Sequence, residues 1–142
     1  MIPNGGRIDL DARYGTAMTA ELQKVESAPK GVDSFVIFSA GLAYVQCLHD
    51  IDGNRMYCEA VSEDAIGHSL AHILTTERKA KLAAAGFEPP GKVMNYWRFY
   101  PKPQYDLAGV TKALLDVLRN AYGYQGTPPL QVETAQETKR AL

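Results

Sequence analysis

Hydrophobic positions recur along the chain with two periods, one typical of helices and one typical of strands. Apolar stripes with spacings of three and four residues predict helices over 9–25 and 106–122. Cap and stop signals predict a short helix over 63–73 and another over 77–85. Continuous or alternating apolar segments predict strands over 35–38, 42–50, 55–61 and 93–100. We therefore predict an α+β fold: a small antiparallel sheet (three-strand meander plus a later strand) packed with N-terminal, middle and C-terminal helices.

The two central strands are joined by Asp52-Gly53, a pair typical of the turn in a β-hairpin. The register that this turn imposes matches opposite charges with each other and apolar residues with each other, which supports it. The predicted pairs are Asp50 with Arg55, Leu48 with Tyr57, Cys47 with Cys58 and Val45 with Ala60.

The pleat of this hairpin places apolar side chains on both faces of the sheet. One face would carry Val45, Cys47, Met56, Cys58 and Ala60. The other would carry Leu42, Tyr44, Leu48, Tyr57 and Val61. A small antiparallel sheet with helices on one side is normally polar on the other. The second face is therefore expected to meet a further helix, a twin subunit or a binding partner.

Composition and charge narrow the class of partner. The chain has 142 residues, 46% of them hydrophobic and 22% charged, which is typical of one globular domain. Its net charge of -1 gives no electrostatic reason to expect a nucleic acid or an anionic membrane as partner. With no secretory signal pattern and no long apolar run, we expect a cytosolic protein whose two cysteines are reduced thiols.

The main domain is expected to cover residues 1–126. Pro128-Pro129 and the mixed charges that follow show no clear period, so residues 127–142 are predicted to form a flexible C-terminal tail. An edge strand at 130–132 is the alternative.

Few residues are candidates for a catalytic or metal-binding role. The sequence has no nucleophile motif, no phosphate loop and no metalloprotease motif, and Asp50 and Asp52 flank a turn in which aspartate is a usual turn former. A zinc site can be assembled only from residues without the usual spacing, namely Cys47, His49, Cys58, His68 and His72. Buried cysteines and surface histidines explain the same residues more simply. We therefore expect no catalytic residue, no metal and no cofactor.

Several segments resemble the TY-Chap and YbjN-like families, which are similar in fold to the type III secretion chaperones. They are Leu74-Thr75, the KLAAAGFEPP segment from Lys81, Asn95-Tyr96-Trp97 and the LLDVLRNAYG segment from Leu114. The resemblance implies a bacterial, non-catalytic domain that binds a protein or peptide and, in the secretion chaperones, often forms a homodimer.

By the same resemblance, partner contact would use the second sheet face and the last strand. The residues implied are Tyr44, Leu48, Tyr57, Val61, Trp97, Phe99 and Tyr100. Two alternatives stay open: an immunity or antitoxin-like binding protein, and a small zinc- or thiol-dependent enzyme.

Overall fold

Three helices and six strands make up the part of the chain that the computed structural model describes, residues 8–63, 73–102 and 104–142. The helices are α1 (Leu10–Ser27), α2 (Thr76–Ala84) and α3 (Leu107–Tyr122). The strands are β1 (Val36–Ala40), β2 (Ala43–Asp50), β3 (Arg55–Ala60), β4 (Tyr96–Pro101), β5 (Gln131–Thr134) and β6 (Arg140–Ala141). This confirms the predicted α+β class. The helix predicted over 63–73 lies almost entirely outside the described residues.

The helix ends lie where the sequence signals predicted them. Asp9 caps α1, Thr75 caps α2 and Asp106 caps α3, each accepting a hydrogen bond from a backbone amide in the first turn. Gly86 and Gly123 follow α2 and α3 with φ of 87° and 75°, a left-handed conformation that residues with a Cβ rarely adopt.

The strands form one sheet in the order β4-β3-β2-β1-β5-β6, and every neighbouring pair is antiparallel. The predicted hairpin register is confirmed, because Asp50 faces Arg55, Leu48 faces Tyr57 and Cys47 faces Cys58. The turn is closed by a hydrogen bond of 3.1 Å from the Asn54 amide to the Ile51 carbonyl.

One face of the sheet, which we call the inner face, lies against α1 and α3 and forms the core. The predicted inner residues Val45, Met56 and Ala60 are fully buried there, as are Met18 of α1 and Leu114 of α3. The two helices also contact each other directly: the hydroxyl oxygens of Thr19 and Thr111 lie 2.8 Å apart. None of the described helices is both long and apolar enough to cross a membrane.

The segment after Gly126 corrects the prediction of a flexible tail. Residues 131–134 pair with β1 as strand β5, and β6 pairs with β5 in turn. Leu130 and Val132 are 0% and 1% exposed, and the Leu130 amide donates to the Tyr14 hydroxyl at 3.2 Å. The alternative of a strand near 130–132 is the one found, because Leu130 and Val132 are buried and the strand pairs with β1 on one side and β6 on the other.

The cysteines also depart from expectation. Cys47 and Cys58 form a disulfide, with Cα atoms 4.1 Å apart, so the prediction of reduced thiols is wrong. The reason is the hairpin register itself, which places the two residues directly opposite each other with both side chains on the inner face.

Candidate functional site

The second face of the sheet, which we call the outer face, carries the side chains that alternate with the core residues. Apolar and aromatic members lie on four neighbouring strands. They are Ile37 of β1, Tyr44 and Leu48 of β2, Tyr57 of β3, and Trp97 and Phe99 of β4. All six are half-buried or exposed, in contrast to the inner face.

Exposed aliphatic side chains collect at the turn end of this face. Val32, Leu48 and Ile51 are 51%, 42% and 40% exposed. They line one hollow of about 460 Å³ that also includes Tyr57 and Phe99. Because a contiguous exposed apolar patch is typical of an interaction site, this hollow is the first part of a candidate site.

A second hollow, of about 300 Å³, lies over the middle of the sheet. Its apolar wall is formed by Phe35, Ile37, Leu48 and Tyr57. Leu48 and Tyr57 line both hollows, so the two lie next to each other. Together they form a groove, which we call the outer groove, that crosses β1, β2 and β3.

Aromatic rings close the β4 side of the outer groove. The Tyr57 and Phe99 ring centroids lie 5.1 Å apart, and those of Trp97 and Phe99 lie 6.1 Å apart, the second pair edge to face. The guanidinium carbon of Arg55 lies 3.5 Å from the Phe99 ring centroid, a cation–π contact. These contacts hold the rings against one another and against Arg55.

The carboxylate of Glu59 lies on this face within a network of neutral donors. Its Oε1 accepts hydrogen bonds from the side-chain amides of Gln46 at 3.0 Å and Asn95 at 2.9 Å. Its Oε2 accepts from the Tyr57 hydroxyl at 2.7 Å. The Asn95 amide also donates to the Tyr44 hydroxyl at 3.3 Å, so the network joins two strands, β2 and β3, to the segment before β4.

The electrostatic environment differs between the centre and the turn end of the outer groove. At the centre, burial and the hydrogen bond to Glu59 raise the pKa of Tyr57, which therefore stays a neutral donor at physiological pH. At the turn end, the Arg55 guanidinium and the Gly53 amide lower the pKa of Asp50. The Arg55 Nε donates to the Asp50 carboxylate at 2.8 Å, so these two charges offset each other.

The β4 edge of the sheet is less open than its outer face. On β4, the backbone of Trp97 already pairs with Glu88, with N–O distances of 3.1 and 2.7 Å. The Arg98 guanidinium donates to the carbonyls of Phe99 at 3.3 Å and Ala85 at 2.6 Å. Covering an edge in this way hinders the pairing of a further strand.

Of the seven residues implied by the resemblance, five lie together on the outer face: Tyr44, Leu48, Tyr57, Trp97 and Phe99. The other two do not. Val61 follows the end of β3, is 0% exposed and accepts a hydrogen bond from Tyr122 at 2.6 Å. Tyr100 is 7% exposed and points to the inner face, because adjacent residues of a strand point to opposite faces and Phe99 points outward.

Sequence reasoning missed Val32, Ile37, Ile51 and Glu59. Strand alternation could have found Ile37, which lies opposite Gln46 across the β1–β2 pair. Val32 and Ile51 lie in loops, where no periodicity marks them. A charged residue within a strand is usually read as solvated, and nothing in the sequence shows the donors that converge on Glu59.

The geometry of the cysteines does not favour the zinc- or thiol-dependent alternatives. Cys47 and Cys58 are joined in the disulfide, so neither thiol is free to bind a metal or act as a nucleophile. Within the described ranges, no group of three or more His, Cys, Asp or Glu residues could hold a metal ion. His68 and His72 lie outside those ranges.

The fold defines the class: an α+β domain with helices against the inner face of an antiparallel sheet. Residues 12–136 match the family model TY-Chap3, described as "T3SS (YopN, CesT) and YbjN peptide-binding chaperone 3". The match covers most of the chain, and the chain belongs to this family of peptide-binding chaperones. Neither a comparison with curated proteins nor one with solved structures finds a match.

Proposed function

We propose that this protein is a non-catalytic chaperone-like module that binds an extended peptide or protein segment in the outer groove. The observation that carries the proposal is the concentration of exposed aliphatic side chains and aromatic rings on the outer face of a sheet whose inner face is fully packed. Family membership supports the class of ligand. Binding would occur through apolar surface complementarity, with no chemical step.

The covered edge of β4 favours binding across the face over addition of a strand. A partner that extended the sheet at β4 would have to displace the Glu88 backbone pairing and the Arg98 guanidinium. Among the described residues, no backbone pairing would have to be broken by a partner in the outer groove, and displacing water from apolar surface is favourable. The proposal therefore places side chains of the partner between Leu48, Tyr57 and Phe99.

The test is peptide selection on the purified protein, followed by affinity measurement. Random peptides of about ten residues, which span roughly 33 Å when extended, are selected on the intact chain, and the best is measured by fluorescence anisotropy. Leu48→Asp should weaken its affinity at least tenfold. The variant loses apolar contact and introduces a carboxylate that binding would desolvate.

Leu42→Asp provides the matched control. Leu42 is 50% exposed, compared with 42% for Leu48, and lies in the turn between β1 and β2 at the other end of β2. The affinity of the Leu42→Asp variant for the peptide should stay within twofold of the wild-type value. Equal losses in both variants, or no selectable peptide, would contradict the proposal.

A homodimer is a second way to cover the same face, and Tyr57→Lys separates it from partner binding. Tyr57 is half-buried, so this variant should remain folded. Solution mass measured for the wild type and the variant shows whether the outer face joins two copies. A wild-type dimer that the variant converts to a monomer, together with the absence of peptide binding, would assign the face to self-association.

A further inference from the structure

We propose that the bound segment presents a lysine or arginine side chain to Glu59, so that the outer groove selects peptides with a basic residue beside apolar ones. This inference rests on the proposed function and specifies the chemistry of its partner. It is carried by a carboxylate that is held in place by neutral groups and lacks a cation among the described residues.

The hydrogen bonds of Glu59 fix its position without neutralising its charge. All three donors, the Gln46 amide, the Asn95 amide and the Tyr57 hydroxyl, are uncharged. A carboxylate has about four acceptor positions, so one remains for a further donor. The carboxylate is thus oriented in advance and can accept one more hydrogen bond.

Two cations beside the outer groove, Arg55 and Lys30, are engaged elsewhere. Arg55 pairs with Asp50 at 2.8 Å and lies over the Phe99 ring, and Lys30 pairs with Asp52 at 2.9 Å. No ion pair found among the described residues includes Glu59. By sequence, the residues outside the described ranges contain no lysine, one arginine, Arg7, and two histidines, His68 and His72. A half-buried carboxylate in this setting favours a cation from a ligand.

The shape around Glu59 fits a long basic side chain. Glu59 forms one wall of the hollow of about 300 Å³ whose other walls include Ile37, Leu48 and Tyr57. The hydrocarbon stem of lysine or arginine can lie along such apolar groups while its charged end reaches the carboxylate. Trp97 lies directly opposite Glu59 on β4, where its ring can contact the cation. An acidic side chain in the same place would be repelled.

A double-mutant cycle tests this pairing. The best selected peptide and a copy in which each lysine and arginine is replaced by glutamine are measured against the wild type and Glu59→Gln. Glu59→Gln keeps the size of the side chain and an oxygen acceptor for the two amides. Glu59→Gln should lower the affinity for the basic peptide at least fivefold and change the affinity for the glutamine copy by less than twofold. Only the basic peptide has a charge that pairs with the Glu59 carboxylate. The fivefold difference should shrink as salt is raised.

Glu133→Gln is the matched control. Glu133 is also a half-buried carboxylate of the outer face, but it lies opposite Ile37 on β5, three strands away from Glu59. This variant should bind both peptides as the wild type does.

The outcomes separate this inference from the proposed function. Selected peptides rich in lysine or arginine, with the basic preference lost in Glu59→Gln, support it. Peptides that bind in the outer groove but are purely apolar or acidic, or a basic preference unchanged in Glu59→Gln, would overturn the inference and leave the proposed function standing. If no peptide binds and the wild type is a dimer through this face, both are wrong.

Discussion

Replacing Leu130 with alanine tests whether residues 127–142 are part of the folded domain or a flexible tail. Leu130 is 0% exposed, its amide donates to the Tyr14 hydroxyl at 3.2 Å and its carbonyl accepts from the Leu142 amide at 2.9 Å. Truncating a fully buried leucine to alanine costs about 2–5 kcal/mol, through lost apolar burial and the cavity left behind. We expect about 3 kcal/mol, a large part of the roughly 5–15 kcal/mol by which an ordinary domain is stable.

The assay is urea unfolding followed by Trp97 fluorescence and far-ultraviolet circular dichroism. Leu42→Ala is the matched control, because Leu42 is 50% exposed and its truncation should change the free energy of unfolding by no more than about 0.5 kcal/mol. A chain ending at Gly126 should be destabilised more than Leu130→Ala, since it also loses Val132 and the pairing of β5 with β1. Equal midpoints for the wild type, Leu130→Ala and the shortened chain would show that the C-terminal segment does not contribute to the fold.

Three further predictions concern the core. Leu114→Asp places a charge at a fully buried position of α3 and should abolish the cooperative melt; a retained sharp transition would contradict the packing of α3. Reducing the Cys47–Cys58 disulfide, or replacing both cysteines with alanine, should lower the free energy of unfolding by about 2–3 kcal/mol, as expected for a loop of this size, and an unchanged urea midpoint under reductant would contradict it. Burial raises the pKa of Tyr122, so the folded state keeps a phenol that ionises in the unfolded chain near pH 10. Stability should therefore be constant from about pH 7 to 9 and fall above about pH 10, less steeply in Tyr122→Phe; a urea midpoint unchanged up to about pH 11 would refute this.

The parts of the fold that depend on local signals could be predicted from the sequence. The hairpin register follows from the turn at Asp52-Gly53 and from the matching of the strands it joins, and β2 and β3 pair as predicted. The helix ends follow from a polar cap at Asp106 and from glycines such as Gly123 that can adopt a positive φ. Such signals act within a few residues, so they hold without knowledge of the tertiary structure.

Features that depend on distant neighbours could not be predicted in the same way. The C-terminal strand pairs with β1 across most of the chain length, and Leu130 and Val132 alone give too short a pattern to reveal it. The predicted register already places Cys47 opposite Cys58, but the expected reducing cytosol predicts free thiols, so the disulfide does not follow from the sequence. Tyr100 was grouped with Phe99 because both are aromatic, although alternation along a strand separates them.

The candidate site was predicted in outline and not in detail. The sequence indicated a second apolar face at Leu48 and Tyr57, and those residues lie at the centre of the outer groove. The proposed role of Glu59 depends on hydrogen bonds from Gln46, Asn95 and a third donor, which the fold brings together from separate segments. Contacts between such distant segments cannot be predicted from a single sequence.

The most direct test of the central claim is where a bound peptide lies. A photoreactive benzophenone amino acid is placed at position 48 in one protein and at position 42 in another, and each is irradiated with the selected peptide. The account predicts a covalent adduct at position 48, in the outer groove, and none at position 42, in the turn between β1 and β2. Adducts of equal yield at both positions, or an adduct at position 42 alone, would contradict the assignment of the outer face as the binding surface.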